Sequence, residues 1–554
     1  MTGCKLSLTQ IRRGVGMTFK VVLSLIFLIA GAQMMKAQFG PQTAEWMTNG
    51  SDAQRSYSIP TDPKISAEAL QKPGFEFLWK KKVNNESVQL NSLTPMVLID
   101  RYIGYRGFRS LGFVGGSSNM IYGIDTDLNR IEWQTRLPGP IPPAGSLTCP
   151  GGLTSNIARP IAAAYPLPGG GGGRRGGARS DVGSSGEGAV TIPPALAAIA
   201  AAAGAPPAAG RGPGFRLPAI IYAIGGDGML HTLYISNGVE PEPPIPFVPA
   251  NASAQGLTVI DGVAYASTQN CNGASSGLWA LDLASKQVAT WKPSKGAIAG
   301  SGGPAFAPDG TVYVATTGGE LVGLEAKTLK VKDTYSTGGP EFTSSAAVFQ
   351  YKQKDLVTAA TKDGSIHVLD TASLGGSNHQ TPLVKSAAYS AGAFEPGALA
   401  TWQDANGVRW VLAAAAGAPA PGSGFTAGNG AITNGTVAAW KLADQNGSPS
   451  LQPGWVSRDM ISPLPPMIIN GVVFGVSSGE YRSSDSKLTA AQRAQKSSPA
   501  VLYALDGATG KVFWNSGKSI TSFAHSGGLS GGASQLYLQT YDQTIYAFGY
   551  PIEH

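Results

Sequence analysis

Short apolar segments that end in a polar residue recur along most of the chain. Each reads as apolar, aromatic or apolar, small, apolar, then Asp or a substitute, as in LYALD. Where no insertion intervenes, these segments follow one another at the ~40–50-residue spacing typical of propeller blades. The eight segments end, in chain order, at Asp125, Tyr234, Asp282, Glu325, Asp370, Lys441, Asp506 and Gly549.

Each repeat contains four short apolar or alternating runs separated by turn residues. In the repeat that ends near Tyr335, Gly and Asp-Gly pairs separate the runs, as in β-hairpins. Four antiparallel strands form one blade, and a blade buries its faces only against neighbouring blades. The pattern therefore predicts an all-β, eight-bladed β-propeller of four-stranded antiparallel blades. Seven blades is the alternative, if the segment ending at Tyr234 is not a true repeat.

The last repeat lacks a fourth strand of its own, because only YPIEH follows Gly549. The run FEFLWKKKV around Trp79 precedes the first repeat and has the character of a fourth strand. We expect this N-terminal strand to complete the last blade, which removes the exposed edges of an open ring. The propeller would then span residues 75–554, with a low-complexity, disordered insertion at 166–217 and a loop insertion at 477–498.

The segment Ala504–Trp514 (ALDGATGKVFW) resembles the tryptophan-docking repeat of pyrroloquinoline-quinone (PQQ) propellers, the quinoprotein alcohol dehydrogenase-like family. Gly123–Trp133 has the same span, and Ala280–Trp291 is one residue longer. The resemblance implies that the Trp of a repeat packs against a small residue of the neighbouring blade, while the Asp fixes the turn. The residues expected in these roles are Trp79, Trp133, Trp291, Trp514, Asp125, Asp282, Asp370 and Asp506.

Residues 1–37 have the organisation of a secretory signal peptide. A basic head precedes the apolar run Val21–Ala32, which is 12 residues long. A bilayer span needs about 20 residues, whereas a signal-peptide core needs about 7–15. Small residues allow cleavage after Ala32 or after Ala37, and both alternatives stay open. The sequence therefore predicts an exported protein, located in the periplasm or outside the cell.

Most of the net charge lies in this signal segment. The formal net charge is +7, and residues 1–37 contain five basic residues and no acidic residue. The rest of the chain is too weakly charged to hold a polyphosphate, so we expect no nucleic-acid partner. Translation starts at Met1 or at Met17, since both leave a basic head. After cleavage we expect a lead-in segment at 38–74, no transmembrane span and a monomer.

Two cysteines, Cys149 and Cys271, remain once Cys4 leaves with the signal segment. An even number of cysteines in an oxidising compartment permits a disulfide between them. Their distance along the chain means that two loops would have to meet, so two isolated thiols are the alternative.

The loops that enter the innermost strands surround the central channel, where propellers usually bind ligands. His525 lies just before the innermost strand of the last blade, and Glu395, Arg159 and Asn91 lie in equivalent loops. We expect these four residues to line any ligand site; a water-filled channel is the alternative. The sequence contains no nucleophile elbow, zinc-ligand motif or phosphate-binding loop, so it names no catalytic or metal-ligating residue.

The resemblance implies two functions. One is a binding platform for a protein or small-molecule ligand, as in the outer-membrane-assembly propeller lipoprotein. The other is a PQQ- and calcium-dependent dehydrogenase of alcohols or sugars. The sequence has no vicinal Cys-Cys pair to cap a quinone and no C-x-x-C-H to attach a haem, which favours the platform. A glycan-binding or glycan-cleaving propeller has only analogy of fold behind it.

Overall fold

The apolar segments form antiparallel strands that assemble into a ring of eight blades. The computed structural model describes residues 45–104, 107–139, 149–163, 220–271, 273–390, 394–445, 447–483, 485, 488–525 and 528–551. All of these residues belong to one compact unit. The predicted eight-bladed propeller is confirmed, and the seven-bladed alternative is wrong. Among the described residues, no helix is both long enough and apolar enough to span a bilayer.

We number the blades in chain order and give their strands from the innermost outward. Blades 1 to 4 consist of Val97–Gly104, Gly107–Gly115, Met120–Asp125 and Arg130–Arg136; Ala158 with Ile220–Ile224, Met229–Tyr234 and Ile245–Pro246; Ala254–Ile260, Val263–Thr268, Gly277–Asp282 and Val288–Trp291; and Ala305–Phe306, Val312–Ala315, Glu320–Leu324 and Val331–Ser336.

The remaining blades repeat the same order. Blades 5 to 8 consist of Ala347–Tyr351, Lys354–Ala360, Ile366–Asp370 and Val384–Lys385; Leu399–Gln403, Arg409–Ala416, Gly435–Gln445 and Ser448–Val456; Met467–Ile469, Val472–Ser477, Val501–Asp506 and Val512–Asn515; and Ser530–Gly532, Gln535–Gln539, Thr544–Gly549 and Glu76–Lys82. The other elements are the strands Ser58–Ile59 and Pro160–Ile161, the 3₁₀ helices Ala69–Gln71 and Gly376–Asn378, and the α-helix Ala490–Lys496.

Burial differs between the middle and the outer strands of a blade. Every residue of Val472–Ser477 and of Thr544–Gly549 is buried, because both faces of these strands pack against neighbouring blades. The outermost strand Val288–Trp291 instead alternates between exposed and half-buried positions. The continuous apolar segments in the sequence are therefore the middle strands, and the alternating ones are the rim.

The N-terminal strand closes the ring as predicted. Glu76–Lys82 pairs antiparallel with Thr544–Gly549, so that Trp79 lies opposite Ala547. The Trp79 indole N–H donates to the carbonyl oxygen of Thr126 in blade 1 at 3.0 Å. The strand pairing places Glu76–Lys82 and the last strand of the chain in one sheet, and the indole bond connects this sheet, blade 8, to blade 1.

The repeat tryptophans and aspartates occupy regular positions. Like Trp79, the Trp133 indole donates to the next blade, to the carbonyl oxygen of Ile235 at 2.7 Å, and its ring packs on Gly238. Trp291 is half-buried in the core of blades 3 and 4, and Trp514 packs edge-on against Phe75 with ring centroids 4.9 Å apart. The repeat aspartates each accept backbone N–H groups of the turn that follows them: Asp125, Asp282, Asp370 and Asp506.

Residues 45–62 form what we call the axial clasp, which runs around the inside of the ring. It bonds to the innermost strand or position of blades 1 to 7 in chain order and to the first hairpin turn of blade 8, so it runs along the inner wall of the ring. The bonded pairs are Trp46–Leu98, Met47–Arg159, Thr48–Leu257, Ala53–Phe306, Gln54–Val348, Ser56–Thr401, Tyr57–Ile468 and Asp62–Ser534. The chain's own lead-in segment therefore occupies the inside of the ring at this level.

Arg55 is the most connected residue of the axial clasp and is only 1% exposed. Its guanidinium donates to the carbonyl oxygens of Pro304 and Gly256, each at 2.9 Å, and to the Thr48 hydroxyl at 3.0 Å. Burial lowers the pKa of Arg55 to about 10, which still leaves the group charged at neutral pH. Arg55 thus joins blades 3 and 4 from inside the ring.

Several sequence-based assignments fall outside these elements. The signal segment 1–37, the start of the lead-in segment 38–74 and the low-complexity insertion 166–217 lie outside the described residues. The insertion 477–498 contains the helix Ala490–Lys496, which begins with a capping box between Thr489 and Gln492. It connects the second and third strands of blade 7.

Candidate functional site

Two of the four predicted site residues hold the ring together. The Asn91 side chain donates to the carbonyl oxygens of Leu153 and Gly151, at 3.2 and 3.4 Å, and so connects two loops. Arg159 forms an ion pair with Glu45 of the axial clasp and donates to the carbonyl oxygen of Leu98 at 3.0 Å. Both side chains therefore make contacts within the ring itself.

The other two, His525 and Glu395, lie on one face of the ring. We call it the entry face, because the chain enters each innermost strand from this side. His525 Nδ1 lies 2.9 Å from Oε1 of Glu480, and Glu480 lines the same cleft as the exposed Glu395. The structure therefore groups His525 and Glu395 around Glu480, a residue that the sequence analysis did not single out.

Glu480 is a buried carboxylate, with 2% of its side chain exposed. Burial alone would raise its pKa, but the hydrogen bond from His525 and the charge of Arg482 outweigh this effect and hold the pKa of Glu480 below its ordinary value. Arg482 Nε lies 3.1 Å from Oε2 of Glu480. A negative charge is thus fixed at the edge of the cleft by one partner on each side.

The cleft lies between blades 6 and 7 and has a volume of about 710 Å³. Ile461 and Tyr481 line it with 41% and 39% of their surface exposed. Lys496, from the helix of the insertion 477–498, lies over the Tyr481 ring with Nζ 5.1 Å from its centroid. Apolar surface and positive charge therefore occur side by side at the opening.

The position of the insertion 477–498 in the sequence indicates where the cleft lies. The loops between second and third strands open on the same face as the loops that enter innermost strands, since successive strands alternate in direction. An insertion at 477–498 must therefore lie beside His525 and Glu395. No motif distinguishes Glu480, Tyr481 and Arg482 from the other residues of this insertion, so the sequence does not identify them as site residues.

The described residues do not fit a PQQ and calcium site. Within them, no group of three or more His, Cys, Asp or Glu side chains could hold a metal ion. The axis, where a planar quinone would stack, is occupied by the axial clasp. Its Asn49 reaches the entry loop of blade 4, where the side chain donates to the carbonyl oxygen of Ser301 at 3.3 Å.

Cys149 and Cys271 are paired as a disulfide, with Cα atoms 5.4 Å apart. Cys149 precedes the innermost position of blade 2, and Cys271 follows the second strand of blade 3. The pair therefore lies on the entry face at the seam of these two blades, away from the cleft.

Fold and surface together define an eight-bladed propeller with a filled axis and a cleft on its entry face. No family model matches the sequence, and no curated protein matches it either. Among solved structures, the quinohemoprotein alcohol dehydrogenase of Comamonas testosteroni is similar with a TM-score of 0.54 and 14% identity, over 92% of this chain and 81% of that one.

Two further structures give comparable results. The quinohemoprotein alcohol dehydrogenase ADHIIG of Pseudomonas putida HK5 has a TM-score of 0.53 and 11% identity, over 93% of this chain and 81% of that one. BamB of Moraxella catarrhalis has a TM-score of 0.44 and 12% identity, over 86% and 99%. The two dehydrogenases show that this chain has their propeller fold, as the repeat predicted; at these identities they show nothing more.

Proposed function

We propose that this protein is an exported binding platform whose entry-face cleft holds a segment of a partner polypeptide. The observation that carries the proposal is the pair of exposed apolar side chains, Ile461 and Tyr481, inside a cleft that also offers positive charge. Large exposed apolar groups grouped in a concavity are typical of protein-binding surfaces.

The charges indicate the chemistry of the segment. Arg482 is 48% exposed on its side chain, and Lys496 is exposed on the helix above Tyr481. Glu480 is already paired with His525 and Arg482. The cleft therefore suits a segment in which an apolar residue stands next to an acidic one, since the acidic group would meet Lys496.

The insertion that carries these residues is anchored well enough to present them. The Tyr481 N–H donates to the Ser497 hydroxyl at 2.9 Å, and the Ser498 N–H donates to the carbonyl oxygen of Gly479 at 2.8 Å. Both ends of the insertion are thus tied together beside the cleft, which lowers the entropy lost on binding.

Photo-crosslinking tests this proposal. The crosslinker p-benzoylphenylalanine is placed at Tyr481 and, as a control, at Val331, which is 55% exposed on the outermost strand of blade 4. In envelope and secreted fractions we expect a discrete polypeptide adduct from position 481 and none from position 331. Lys496→Glu should remove the adduct, whereas Lys80→Glu on the rim of blade 8 should not. Equal adducts from both positions, or none, would contradict the proposal.

A second measurement addresses the dehydrogenase alternative and export. Purified protein is incubated with PQQ and Ca²⁺ and passed over a gel-filtration column. Retained quinone absorbance together with dye reduction on an alcohol panel would overturn the platform in favour of the enzyme. The N-terminal residue of the cell-derived protein tests export, because we expect it to follow Ala32 or Ala37.

A further inference from the structure

A second concavity lies at the outer seam between blades 6 and 7, and we call it the rim pocket. It has a volume of about 560 Å³ and is lined by residues 429–431, Arg458, Asp459, Lys511 and Val512. Residues 429–431 belong to the loop between the second and third strands of blade 6, whereas Val512 begins the outermost strand of blade 7. Both blades therefore contribute to the rim pocket, as they do to the cleft.

One loop connects the rim pocket to the cleft. It follows the outermost strand of blade 6, which ends at Val456, and leads to the innermost strand of blade 7, which begins at Met467. Arg458 of this loop lines the rim pocket, and Ile461 lines the cleft. Three residues span at most about 11 Å even when fully extended, so the two concavities are neighbours on the entry side of the seam.

Asp459 and Asn434 form the wall between the two concavities, since Asp459 lines the rim pocket and Asn434 lines the cleft. Asp459 Oδ1 accepts the backbone N–H groups of Thr433 and Asn434, at 2.9 and 2.7 Å. Burial alone would raise the pKa of Asp459, but these hydrogen bonds outweigh it and lower the pKa to about 2. The carboxylate of the wall is thus already paired with donors of its own blade.

Contacts across the seam hold the rim pocket in shape. The Asn429 side chain donates to the carbonyl oxygens of Val456 in blade 6 and Thr509 in blade 7, at 2.8 and 3.0 Å. The Arg458 guanidinium lies over the Tyr503 ring of blade 7, with Cζ 5.0 Å from the ring centroid. The pocket is therefore formed before a ligand binds, which lowers the entropy lost on binding.

The rim pocket offers the same combination of groups as the cleft. Val512 is 37% exposed, and Arg458 and Lys511 are exposed beside it. Among the described residues, no carboxylate forms an ion pair with either of these two basic side chains. In the cleft, Tyr481 lies beside Lys496 in a similar way. Exposed apolar surface next to positive charge therefore occurs twice along the seam.

We infer that the cleft and the rim pocket together hold one extended partner segment that carries two apolar–acidic pairs, one for each concavity. The inference rests on the proposed function, to which it adds a second point of contact and a spacing. With three residues between the pairs, their facing members are about 13 Å apart in an extended chain, which covers the distance from Arg458 to Ile461. Two linked contacts raise the effective concentration of the second, so the segment should bind far more tightly than either pair alone.

Peptide titrations test this inference. Fluorescein-labelled GLDGSGLDG carries both pairs, GLDGSGGSG and GGSGSGLDG carry one each, and GDDGSGLLG has the composition of the first with the pairs broken up. The full protein is titrated into each, and binding is followed by fluorescence anisotropy. We expect GLDGSGLDG to bind about tenfold more tightly than the other three peptides.

Variants of exposed basic residues locate the two contacts. Lys511→Glu in the rim pocket and Lys496→Glu in the cleft should each reduce the affinity for GLDGSGLDG to about that of a single-pair peptide. Arg458→Gln should weaken GLDGSGLDG severalfold and provides a second variant in the rim pocket. Lys80→Glu, the same charge change on the rim of blade 8, should leave the affinity within about twofold.

The results separate this inference from the proposed function. If Lys496→Glu weakens the peptides and Lys511→Glu does not, the cleft binds alone and the inference is wrong while the proposed function stands. Equal binding of GLDGSGLDG and GDDGSGLLG, or no saturable binding of any peptide, would also overturn the inference. In that last case the crosslink from Tyr481 still decides the proposed function by itself.

Discussion

Replacement of Trp79 by Ala tests whether the N-terminal strand holds the ring closed. Trp79 is 9% exposed, its ring lies 5.8 Å from that of Tyr537, and its indole N–H bonds to blade 1. Truncation of a buried Trp costs about 3–5 kcal/mol, and loss of the hydrogen bond leaves the Thr126 carbonyl oxygen without its donor. We therefore expect Trp79→Ala to lower the free energy of unfolding by about 4 kcal/mol.

Urea unfolding followed by circular dichroism measures this loss, with Lys80→Ala as the matched control. Lys80 is the next residue of the same strand and is exposed, so its truncation should change stability by no more than about 0.5 kcal/mol. Hydrogen exchange adds the location: the amides of Thr544–Gly549 should exchange faster in Trp79→Ala, because their partner strand opens. Equal stability of the two variants, or unchanged exchange in Thr544–Gly549, would refute the closure argument.

Three further predictions concern stability. Arg55→Met should lower the free energy of unfolding in urea by about 3 kcal/mol, because carbonyl oxygens of blades 3 and 4 lose their buried donor. A decrease smaller than that of Lys80→Ala would contradict this. Burial, reinforced by a nearby lysine, lowers the pKa of His367 to about 4 from 6.5. The unfolded chain binds a proton at His367 below pH 6.5, whereas the folded chain does so only near pH 4. The free energy of unfolding is therefore highest above pH 6.5 and falls by at most about 3 kcal/mol as the pH drops toward 4. In thermal unfolding, His367→Gln should reduce this dependence on pH. Replacing Cys149 and Cys271 by Ser should lower the free energy of unfolding by about 4 kcal/mol. An unchanged urea midpoint in this variant, or free thiols at both positions of the unmodified protein by mass spectrometry, would show that the disulfide does not form.

The blades could be predicted because their signal is local. A middle strand such as Val501–Asp506 packs between two blades and is buried and apolar at its four central positions, so each copy is visible in the sequence. The closing strand around Trp79 was visible for the complementary reason: it had no repeat of its own, and the last repeat lacked a strand. Counting strands was therefore sufficient to predict how the ring closes.

The axial clasp could not be predicted, because its order comes from contacts with the innermost strands of the ring. Its sequence, from Glu45 to Asp62, shows no alternation, and it buries Thr48, Gln54 and Arg55, which are usually exposed residue types. Their partners are mostly backbone carbonyl oxygens of distant blades, which leave no trace in residue identity. The same reason applies to Glu480, whose partner His525 is 45 residues away in sequence and meets it only in the folded chain.

The N-terminal part of the described chain contributes to the ring in two places. Residues 45–62 run along the inside of the ring and residues 76–82 complete blade 8, so both segments connect parts of the ring that are distant in sequence. Because the axial clasp occupies the inside of the ring, the candidate binding surface lies on the entry face. On the entry face, His525 contacts Glu480 at the edge of the cleft. Glu480 thus meets Arg482 from its own insertion and His525 from the loop that enters blade 8, so the charge at the edge of the cleft depends on how blades 7 and 8 pack together.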